Sequence, residues 1–357
     1  MQKLTLTLQD GTSLTGKAFG AFEETEGEVV FTTGMVGYPE SFTDPSFKDQ
    51  ILVLTYPLVG NYGVPNEELT EEKLSKFFES ARIHLKGVIV SDYSETYSHW
   101  NADKSLSDWL REYGVPGITG IDTRALTKRL REKGALLGKI HLPEEKPDPE
   151  FHDPNEDNLV AKVSITEPET YGDGTKHIAI VDTGMKFNIL RSFLKKDIKV
   201  TRVPWNQNPF DLGEEFDGVF FSNGPGDPEV VKETIEIMKA CFEKKIPTFG
   251  ICLGNQIMAL AAGAKTYKLK YGHRGQNQPC VDTRTGRCYI TSQNHGFAID
   301  GKRLPENWEV SFENANDGTV EGIRHKRLPF FAVQFHPEAT PGPTETEFLF
   351  DEFIDML

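Results

Sequence analysis

The stretch Phe249–Gln256, which reads FGICLGNQ, indicates how the second half of the chain folds. An apolar run over Ile246–Ile251 predicts a buried strand, and the residues from about Gly254 onward have the apolar spacing of a helix. Cys252 stands at the junction, with a glycine two positions away on either side. Glycines there permit a sharp turn, so the pattern predicts a nucleophile elbow that presents the cysteine at the tip of the strand.

Cys252 at this position has two interpretations. In the first, the N-terminus of the following helix favours a thiolate, and its backbone N–H groups hold a developing oxyanion. In the second, Cys252 is a small buried hydrophobic residue, as most free cysteines are. The elbow alone leaves both interpretations open.

Strands and helices alternate on the N-terminal side of the elbow. Such alternation predicts parallel strands joined by crossover helices, and therefore a doubly wound α/β sheet whose ligands bind beyond the carboxyl ends of the strands. The predicted strands are His177–Val181, Ile198–Val203 and Asp217–Phe221, and the predicted helices are Phe187–Lys196 and Glu229–Lys245. This architecture places three strand exits on one rim: Ser222–Asp227, Cys252–Gly254 and His336–Glu338.

The strand that exits at His336 supplies a candidate base for the thiol. The stretch Phe330–Glu338 reads FFAVQFHPE, so an apolar strand ends on His336 and Glu338 follows two residues later. An imidazole can activate a thiol, and a carboxylate can fix the imidazole tautomer. A metal site at these two residues is disfavoured because no third ligand follows at a suitable spacing, and we expect no metal ligands in this chain.

A rigid loop follows the predicted Asp217–Phe221 strand. The stretch Ser222–Pro228 reads SNGPGDP and contains two glycines and two prolines, which is typical of a tight turn with an exposed backbone. On the same rim as Cys252, it is a candidate oxyanion and substrate loop.

A change in composition divides the chain. The stretch Pro143–Asp157 carries four prolines and seven acidic residues, which predicts a solvated linker between domains over 1–150 and 175–357. The first domain is predicted to be smaller and of mixed α+β class. Its predicted strands are Leu4–Leu8, Glu28–Thr33 and Gln50–Tyr56, and its predicted helices are Glu71–Glu79 and Thr123–Lys133.

Charge and cysteine usage restrict the classes of partner. The 357 residues include 54 acidic and 39 basic side chains, a net charge of −15, which disfavours nucleic acid and anionic membranes as partners. The four cysteines form no C-x-x-C pair, and neither a signal peptide nor a membrane span is predicted. We therefore expect a cytoplasmic protein with reduced thiols.

Taken together, the three rim motifs resemble those of the class I (triad) glutamine amidotransferases. Four further stretches resemble the small, glutaminase subunit of carbamoyl phosphate synthetase, and that resemblance covers essentially the whole chain apart from the linker. These stretches are Gly27–Tyr38, Thr43–Ser46, Gly120–Arg124 and Gln293–Phe297. The resemblance implies a class I amidotransferase domain with a doubly wound, mostly parallel sheet over 175–357. It also implies that the domain over 1–150 docks a large subunit.

The resemblance implies an activity and a role for each site residue. Cys252 attacks the side-chain amide of glutamine, His336 is the general base and acid, Glu338 orients His336, and water cleaves the thioester to glutamate and ammonia. Backbone N–H groups of Gly224 and Leu253 form the oxyanion hole. The remaining matched positions hold glutamine: Ser46, Gly226, Gln256, Asn294, Gly296 and Phe297. Because Ser46 lies in the first domain, we expect the site at the domain interface.

Carbamoyl phosphate synthesis also requires ATP, for which this chain has no fingerprint. The nearest approach to a Walker A loop, Gly134–Ile140, has three spacer residues instead of four and an isoleucine where a hydroxyl is needed. We therefore expect no cofactor in this chain, and ATP and Mg²⁺ on the large subunit of a heterodimer or higher assembly. Its product feeds arginine or pyrimidine biosynthesis, or both.

Three other functions are weighed against this one. The complete Cys252, His336 and Glu338 set disfavours a binding module without activity. The N-terminal domain disfavours an amidotransferase for another synthase, such as those making anthranilate or guanylate. The alternation of strands and helices disfavours a papain-like protease.

Overall fold

The computed structural model describes residues 2–145 and 147–357, so Lys146 of the predicted linker lies outside the described residues. The chain forms two compact units, Met1–Pro154 and Asn155–Leu357. Within the described part of the chain, no helix combines the length and the apolarity that a membrane crossing requires.

The N-terminal unit is built on a closed barrel with the strand order β1-β11-β3-β4-β7-β10-β2. The strands of this unit are β1 (Lys3–Leu8), β2 (Ser13–Gly20), β3 (Thr25–Thr32), β4 (Gln50–Leu54), β5 (Leu58–Val59), β6 (Val64–Pro65), β7 (Gly87–Ile89), β8 (Asp92–Tyr93), β9 (Ala102–Lys104), β10 (Pro116–Thr119) and β11 (Leu136–His141). Its helices are α1 (Tyr38–Thr43), α2 (Leu106–Glu112) and α3 (Thr123–Lys133). Closure leaves none of the seven barrel strands with an open edge.

The two helices predicted in this unit have different outcomes. Helix α3 has the predicted bounds, and the side chain of Asp122 caps it by accepting a hydrogen bond from the N–H of Ala125 at 2.8 Å. The predicted helix over Glu71–Glu79 is wrong, because these residues form turns. The hydroxyl oxygen of Ser75 accepts hydrogen bonds from the N–H groups of Phe77 and Phe78. Such local hydrogen bonds from side chain to backbone compete with those of a helix.

The C-terminal unit contains a ten-stranded sheet in the order β12-β14-β13-β15-β16-β21-β20-β18-β17-β19. Its strands are β12 (Glu169–Tyr171), β13 (Lys176–Asp182), β14 (Ile198–Pro204), β15 (Gly218–Phe221), β16 (Thr248–Ile251), β17 (Thr266–Asp282), β18 (Cys288–Ile299), β19 (Trp308–Asn314), β20 (Val320–His325) and β21 (Phe330–Val333). Its helices are α4 (Phe187–Leu194), α5 (Lys232–Lys244), α6 (Leu253–Ala262) and α7 (Phe348–Ile354). Strands β14, β13, β15, β16 and β21 run parallel, and antiparallel strands extend the sheet at both ends.

Alternate side chains of the central strands pack against helices on opposite faces of the sheet. Phe221 on β15 belongs to a buried cluster with Met238 of α5 and Ile257 of α6. Its neighbour Phe220 packs against Phe193 of α4 and Phe350 of α7, at centroid distances of 5.2 and 6.5 Å. Because helices cover both faces of a parallel centre, the predicted doubly wound α/β class is confirmed.

Candidate active site

The predicted turn at Cys252 is present, and glycines make it possible. Cys252 immediately precedes α6 and has φ 54° and ψ −100°, a conformation that strains a residue with a side chain. A Cβ on Gly250 would lie 2.7 Å from the carbonyl group of Gly254, and a Cβ on Gly254 would lie 2.4 Å from the carbonyl oxygen of Phe221. The strand end and the first helical turn therefore approach too closely for any other residue at these positions.

Buried polar groups surround the thiol of Cys252. The side chain is 2 % exposed, and Sγ lies 3.7 Å from the carbonyl oxygen of Asn294. The side-chain amide of Gln334 donates a hydrogen bond to Sγ at 3.5 Å. The oxygen of the same amide accepts hydrogen bonds from Asn255 and Gln256, at 3.3 and 3.1 Å. These two bonds fix which end of Gln334 faces the sulfur.

His336 and Glu338 form a buried, charged pair. Nδ1 of His336 donates to Oε1 of Glu338 at 2.6 Å. Burial opposes the charged imidazole, but Glu338 and the Cys252 thiol outweigh it and raise the pKa of His336 to about 10. Burial likewise opposes the carboxylate, but Lys186 and His336 lower the pKa of Glu338 to about 2. Since Nδ1 is held by the carboxylate, Nε2 is the atom available for proton transfer.

Lys186 is a site residue that the sequence analysis did not identify. Its ammonium group is buried, lies 3.2 Å from Oε1 of Glu338 and donates to the carbonyl oxygen of Ala339. Its backbone N–H donates to the side chain of Asn223 at 3.0 Å. Lys186 follows the carboxyl end of β13, so its position on the same rim as Cys252 was the signal available in the sequence.

The loop that begins at Ser222 packs against the elbow. The N–H of Gly254 donates to the carbonyl oxygen of Ser222 at 3.1 Å. A Cβ on Gly224 would lie 2.0 Å from the carbonyl oxygen of Thr183, and Gly226 has φ +86°, so both positions require glycine. Leu253 opens α6, so its N–H has no acceptor within the helix and is available to an oxyanion.

Several residues expected to hold glutamine lie on or beside β18. Asn294, Gly296 and Phe297 are part of this strand, and the side-chain amide of Gln256 donates to the carbonyl oxygen of Phe297 at 2.9 Å. Ser46 lies in the N-terminal unit, in a short 3-10 turn where its N–H donates to Asp44 at 2.9 Å. Its expected place beside the other residues stays a prediction.

Two protein-family models match the two units of the chain. The carbamoyl-phosphate synthase small chain domain matches residues 6–140, and the class-I glutamine amidotransferase domain matches residues 179–356. The second match spans all of the C-terminal candidate residues.

Curated relatives resemble the chain over its full length. The carbamoyl phosphate synthase arginine-specific small chain of Aspergillus fumigatus is 49% identical, with 100% of this chain and 80% of that protein covered. Multifunctional protein CAD of Squalus acanthias is 54% identical, with 98% of this chain and 16% of that protein covered. Multifunctional protein URA2 of Saccharomyces cerevisiae is 50% identical, with 99% of this chain and 17% of that protein covered.

The chain thus spans about a sixth of the multifunctional relatives and most of the small chain. It belongs to the carbamoyl phosphate synthase small chain family, with a class-I glutamine amidotransferase domain in its C-terminal unit.

Proposed function

We propose that this chain hydrolyses glutamine through a thioester on Cys252 and is the amidotransferase component of a glutamine-dependent carbamoyl phosphate synthase. The main support for the proposal is a set of three buried charged side chains, those of Lys186, Glu338 and His336. Lys186 holds Glu338 ionised and Glu338 holds His336 protonated, and the Cys252 sulfur is among the groups that raise the pKa of His336. An inert core cysteine has no need of such neighbours, whose charges are costly to bury.

The first half of the reaction releases ammonia. The sulfur of Cys252 attacks the carbon of the glutamine side-chain amide, and the resulting oxyanion accepts hydrogen bonds from the N–H groups of Leu253 and Gly224. Nε2 of His336 donates its proton to the amide nitrogen. The C–N bond then breaks, so ammonia leaves and a glutamyl thioester remains on Cys252.

The second half regenerates the thiolate. His336, now neutral, takes a proton from a water molecule whose oxygen attacks the thioester carbon. Collapse of this intermediate breaks the C–S bond and releases glutamate. Glu338 stays ionised throughout, because its role is to fix Nδ1 and to stabilise the imidazolium.

We assign the remaining candidate residues to substrate binding. The residues that would surround the glutamine in the C-terminal unit are Gly226, Gln256, Asn294, Gly296 and Phe297. The contact of Asn294 with Sγ of Cys252 and the hydrogen bond from Gln256 to Phe297 support this assignment. Ser46 would contact the substrate from the N-terminal unit. We expect Ser46→Ala to raise the KM for glutamine while kcat changes less, and an unchanged KM would remove Ser46 from the site.

The ammonia is proposed to pass to a large synthetase subunit that binds ATP and Mg²⁺ and forms a heterodimer with this chain. The names of the relatives, which include an arginine-specific small chain and multifunctional proteins, support a role in arginine or pyrimidine biosynthesis. We also propose a cytoplasmic location. All four cysteines are free thiols in the described part of the chain, as a reducing compartment predicts.

The decisive experiment compares two nitrogen donors in the assembled complex. Cys252→Ala should lower glutamine-driven carbamoyl phosphate synthesis about 10³-fold or more. Synthesis from added ammonia should persist. Cys241→Ala is the matched control, since Cys241 is also buried but lies in α5 away from the rim. Loss of both activities in Cys252→Ala would indicate a structural role for the residue and contradict the proposal.

A further inference from the structure

A second buried group of titratable side chains lies outside the set that the proposed reaction uses. It consists of His273 on β17, His295 on β18 and Glu321 on β20, and we call it the His–His–Glu cluster. One ligand atom from each residue lies within 4.8 Å of the others. Nδ1 of His273 is 3.3 Å from Oε1 of Glu321, and Nε2 of His295 is 3.9 Å from the same oxygen.

Hydrogen bonds on the outer side of each ring decide which nitrogens face inward. Nδ1 of His295 lies 2.8 Å from the carbonyl oxygen of Phe297, which can only accept, so this nitrogen carries a proton. Nε2 of His273 lies 2.9 Å from the carboxylate of Asp317 and donates to it. In the neutral rings, the lone pairs of Nε2 of His295 and Nδ1 of His273 therefore both point toward Glu321.

Few donors reach the acceptors at the centre of the cluster. Oε1 of Glu321 accepts hydrogen bonds from the side chains of Asn314 and Thr319, at 3.2 and 3.3 Å. Among the described residues, neither Oε2 of Glu321 nor Nδ1 of His273 has a hydrogen-bond partner, and the side chain of Glu321 is fully buried. Nε2 of His295 also lies 3.1 Å from the side-chain oxygen of Gln293, whose amide nitrogen donates to Cys280 and Thr291. A cation between the remaining unpaired atoms would satisfy them.

We propose that His273, His295 and Glu321 bind a divalent transition-metal ion of the zinc class. Two histidine nitrogens and one carboxylate are a common ligand set for zinc. With bonds of about 2 Å, tetrahedral zinc separates its ligand atoms by about 3.3 Å. The distance from His273 to Glu321 has this value, and the 3.9 Å from His295 to Glu321 would have to shorten when the ion binds. Each histidine already donates its outer N–H to an oxygen, as metal-bound histidines do.

The sequence predicts no metal ligands because the spacing of residues along the chain shows no ligand set. Here the three donors come from three strands of one sheet and are 22 or more positions apart, so only the fold brings them together. His295 lies between Asn294 and Gly296, two of the proposed glutamine-binding residues. A bound ion would tie this part of β18 to β17 and β20 and so hold the substrate-binding backbone in place.

The test uses the full chain with Cys252→Ser and Cys288→Ser, which removes the elbow thiol and the exposed thiol as competing zinc ligands. After treatment with a chelator, Zn²⁺ is titrated by calorimetry and Co²⁺ by visible absorption. We expect one ion per chain and a tetrahedral Co²⁺ spectrum without a thiolate band. Glu321→Gln and His273→Asn should each weaken Zn²⁺ binding by about 100-fold or more.

The control variant is His325→Asn, which removes a histidine of β20 outside the cluster and should bind Zn²⁺ as the parent does. The parent titration needs no variant of the cluster, so it remains decisive if those variants fail to fold. Absence of binding in the parent, or binding that survives Glu321→Gln, would overturn the proposal. Protons alone would then occupy the cluster, with His273 as an imidazolium beside Glu321.

Discussion

Lys186 and His336 share one carboxylate oxygen. Oε1 of Glu338 lies 3.2 Å from the ammonium nitrogen of Lys186 and 2.6 Å from Nδ1 of His336. Both donors are buried, so water screens neither interaction effectively. Lys186 is therefore the residue that would keep Glu338 ionised when His336 gives up its proton in the proposed reaction.

Replacing Lys186 should shift the acidic limb of the activity profile. In Lys186→Met, the cation that lowers the pKa of Glu338 is lost, so this carboxylate takes up a proton at a higher pH. We expect kcat/KM for glutamine hydrolysis to fall about tenfold more at pH 5.5 than at pH 8. The measurement is the pH dependence of kcat/KM in the assembled complex.

The matched control is Lys176→Met. Lys176 lies on the strand that precedes Lys186, and its ammonium group also donates to a backbone carbonyl, that of Ile354 at 2.7 Å. It contacts no residue of the proposed active site in the described structure, so its loss should leave the acidic limb unchanged. The role assigned to Lys186 would be wrong if both variants had the same profile.

The stability of the chain should depend on pH through His336 and Glu338. The pKa of His336 is raised from 6.5 to about 10, so its stabilisation is complete below pH 6.5 and is lost as the pH rises toward 10. The pKa of Glu338 is lowered from 4.5 to about 2, so its stabilisation is present above pH 4.5 and is lost as the pH falls toward 2. Together they contribute most between pH 4.5 and 6.5.

Urea unfolding of the native chain and of Glu338→Gln at several pH values measures this contribution. The difference between their unfolding midpoints should be largest between pH 4.5 and 6.5 and should shrink as the pH is raised toward 10. A difference that is constant over this range would mean that the pair is not charged in the folded protein.

The elbow glycines should tolerate no side chain. Gly250→Ala places a Cβ 2.7 Å from the Gly254 carbonyl, so the strand and the helix must separate, at a cost of about 1–3 kcal/mol. The shift also moves Cys252, so activity should fall with stability. Gly263→Ala, at the other end of the same helix, meets nothing within 4 Å and should cost about 1 kcal/mol through its positive φ alone.

Thermal unfolding and glutamine hydrolysis, measured on both variants, separate these effects. Gly263→Ala should keep the activity of the native chain at a temperature where both are folded. If Gly250→Ala were also fully active there, the close approach at the elbow would not be what positions the cysteine.

The parts of the fold that the sequence predicts are those with strong local signals. Asp122 caps helix α3. Gly250 and Gly254 permit the sharp turn that joins β16 to α6. The wrong prediction of a helix over Glu71–Glu79 shows that a local pattern can mislead. Its composition suits a helix, but the hydroxyl of Ser75 satisfies nearby backbone groups in a turn instead.

The sequence predicts the candidate residues that directly follow a strand. It does not predict those that meet only when separate strands pack together. Residues that bind ligands are expected just after the carboxyl ends of parallel strands. Cys252 follows β16, and His336 and Glu338 follow β21, so the sequence predicts all three. Lys186 follows β13 on the same rim, but a lysine after a strand is ordinary in a sequence. Its burial beside Glu338, like the meeting of His273 with Glu321, depends on the packing of separate elements.

The side-chain amide of Gln334 should control the reactivity of the Cys252 sulfur. Its nitrogen donates to Sγ at 3.5 Å, and the bonds from Asn255 and Gln256 to its oxygen hold this orientation. Gln334→Glu has nearly the same shape but replaces the donor with an oxygen that is negatively charged when ionised. A carboxylate there removes the hydrogen bond to Sγ and repels the electron-rich sulfur as it attacks an electrophile.

We expect Gln334→Glu to slow the alkylation of Cys252 by a glutamine-mimicking electrophile about tenfold or more at pH 7. The rate should recover at acidic pH relative to the native chain, because protonation of the new carboxyl restores a donor. Gln278→Glu is the matched control, since Gln278 is a half-buried residue of β17 remote from the elbow, and its labelling rate should equal that of the native chain. Equal rates for Gln334→Glu and the native chain at pH 7 would show that this amide does not influence the sulfur.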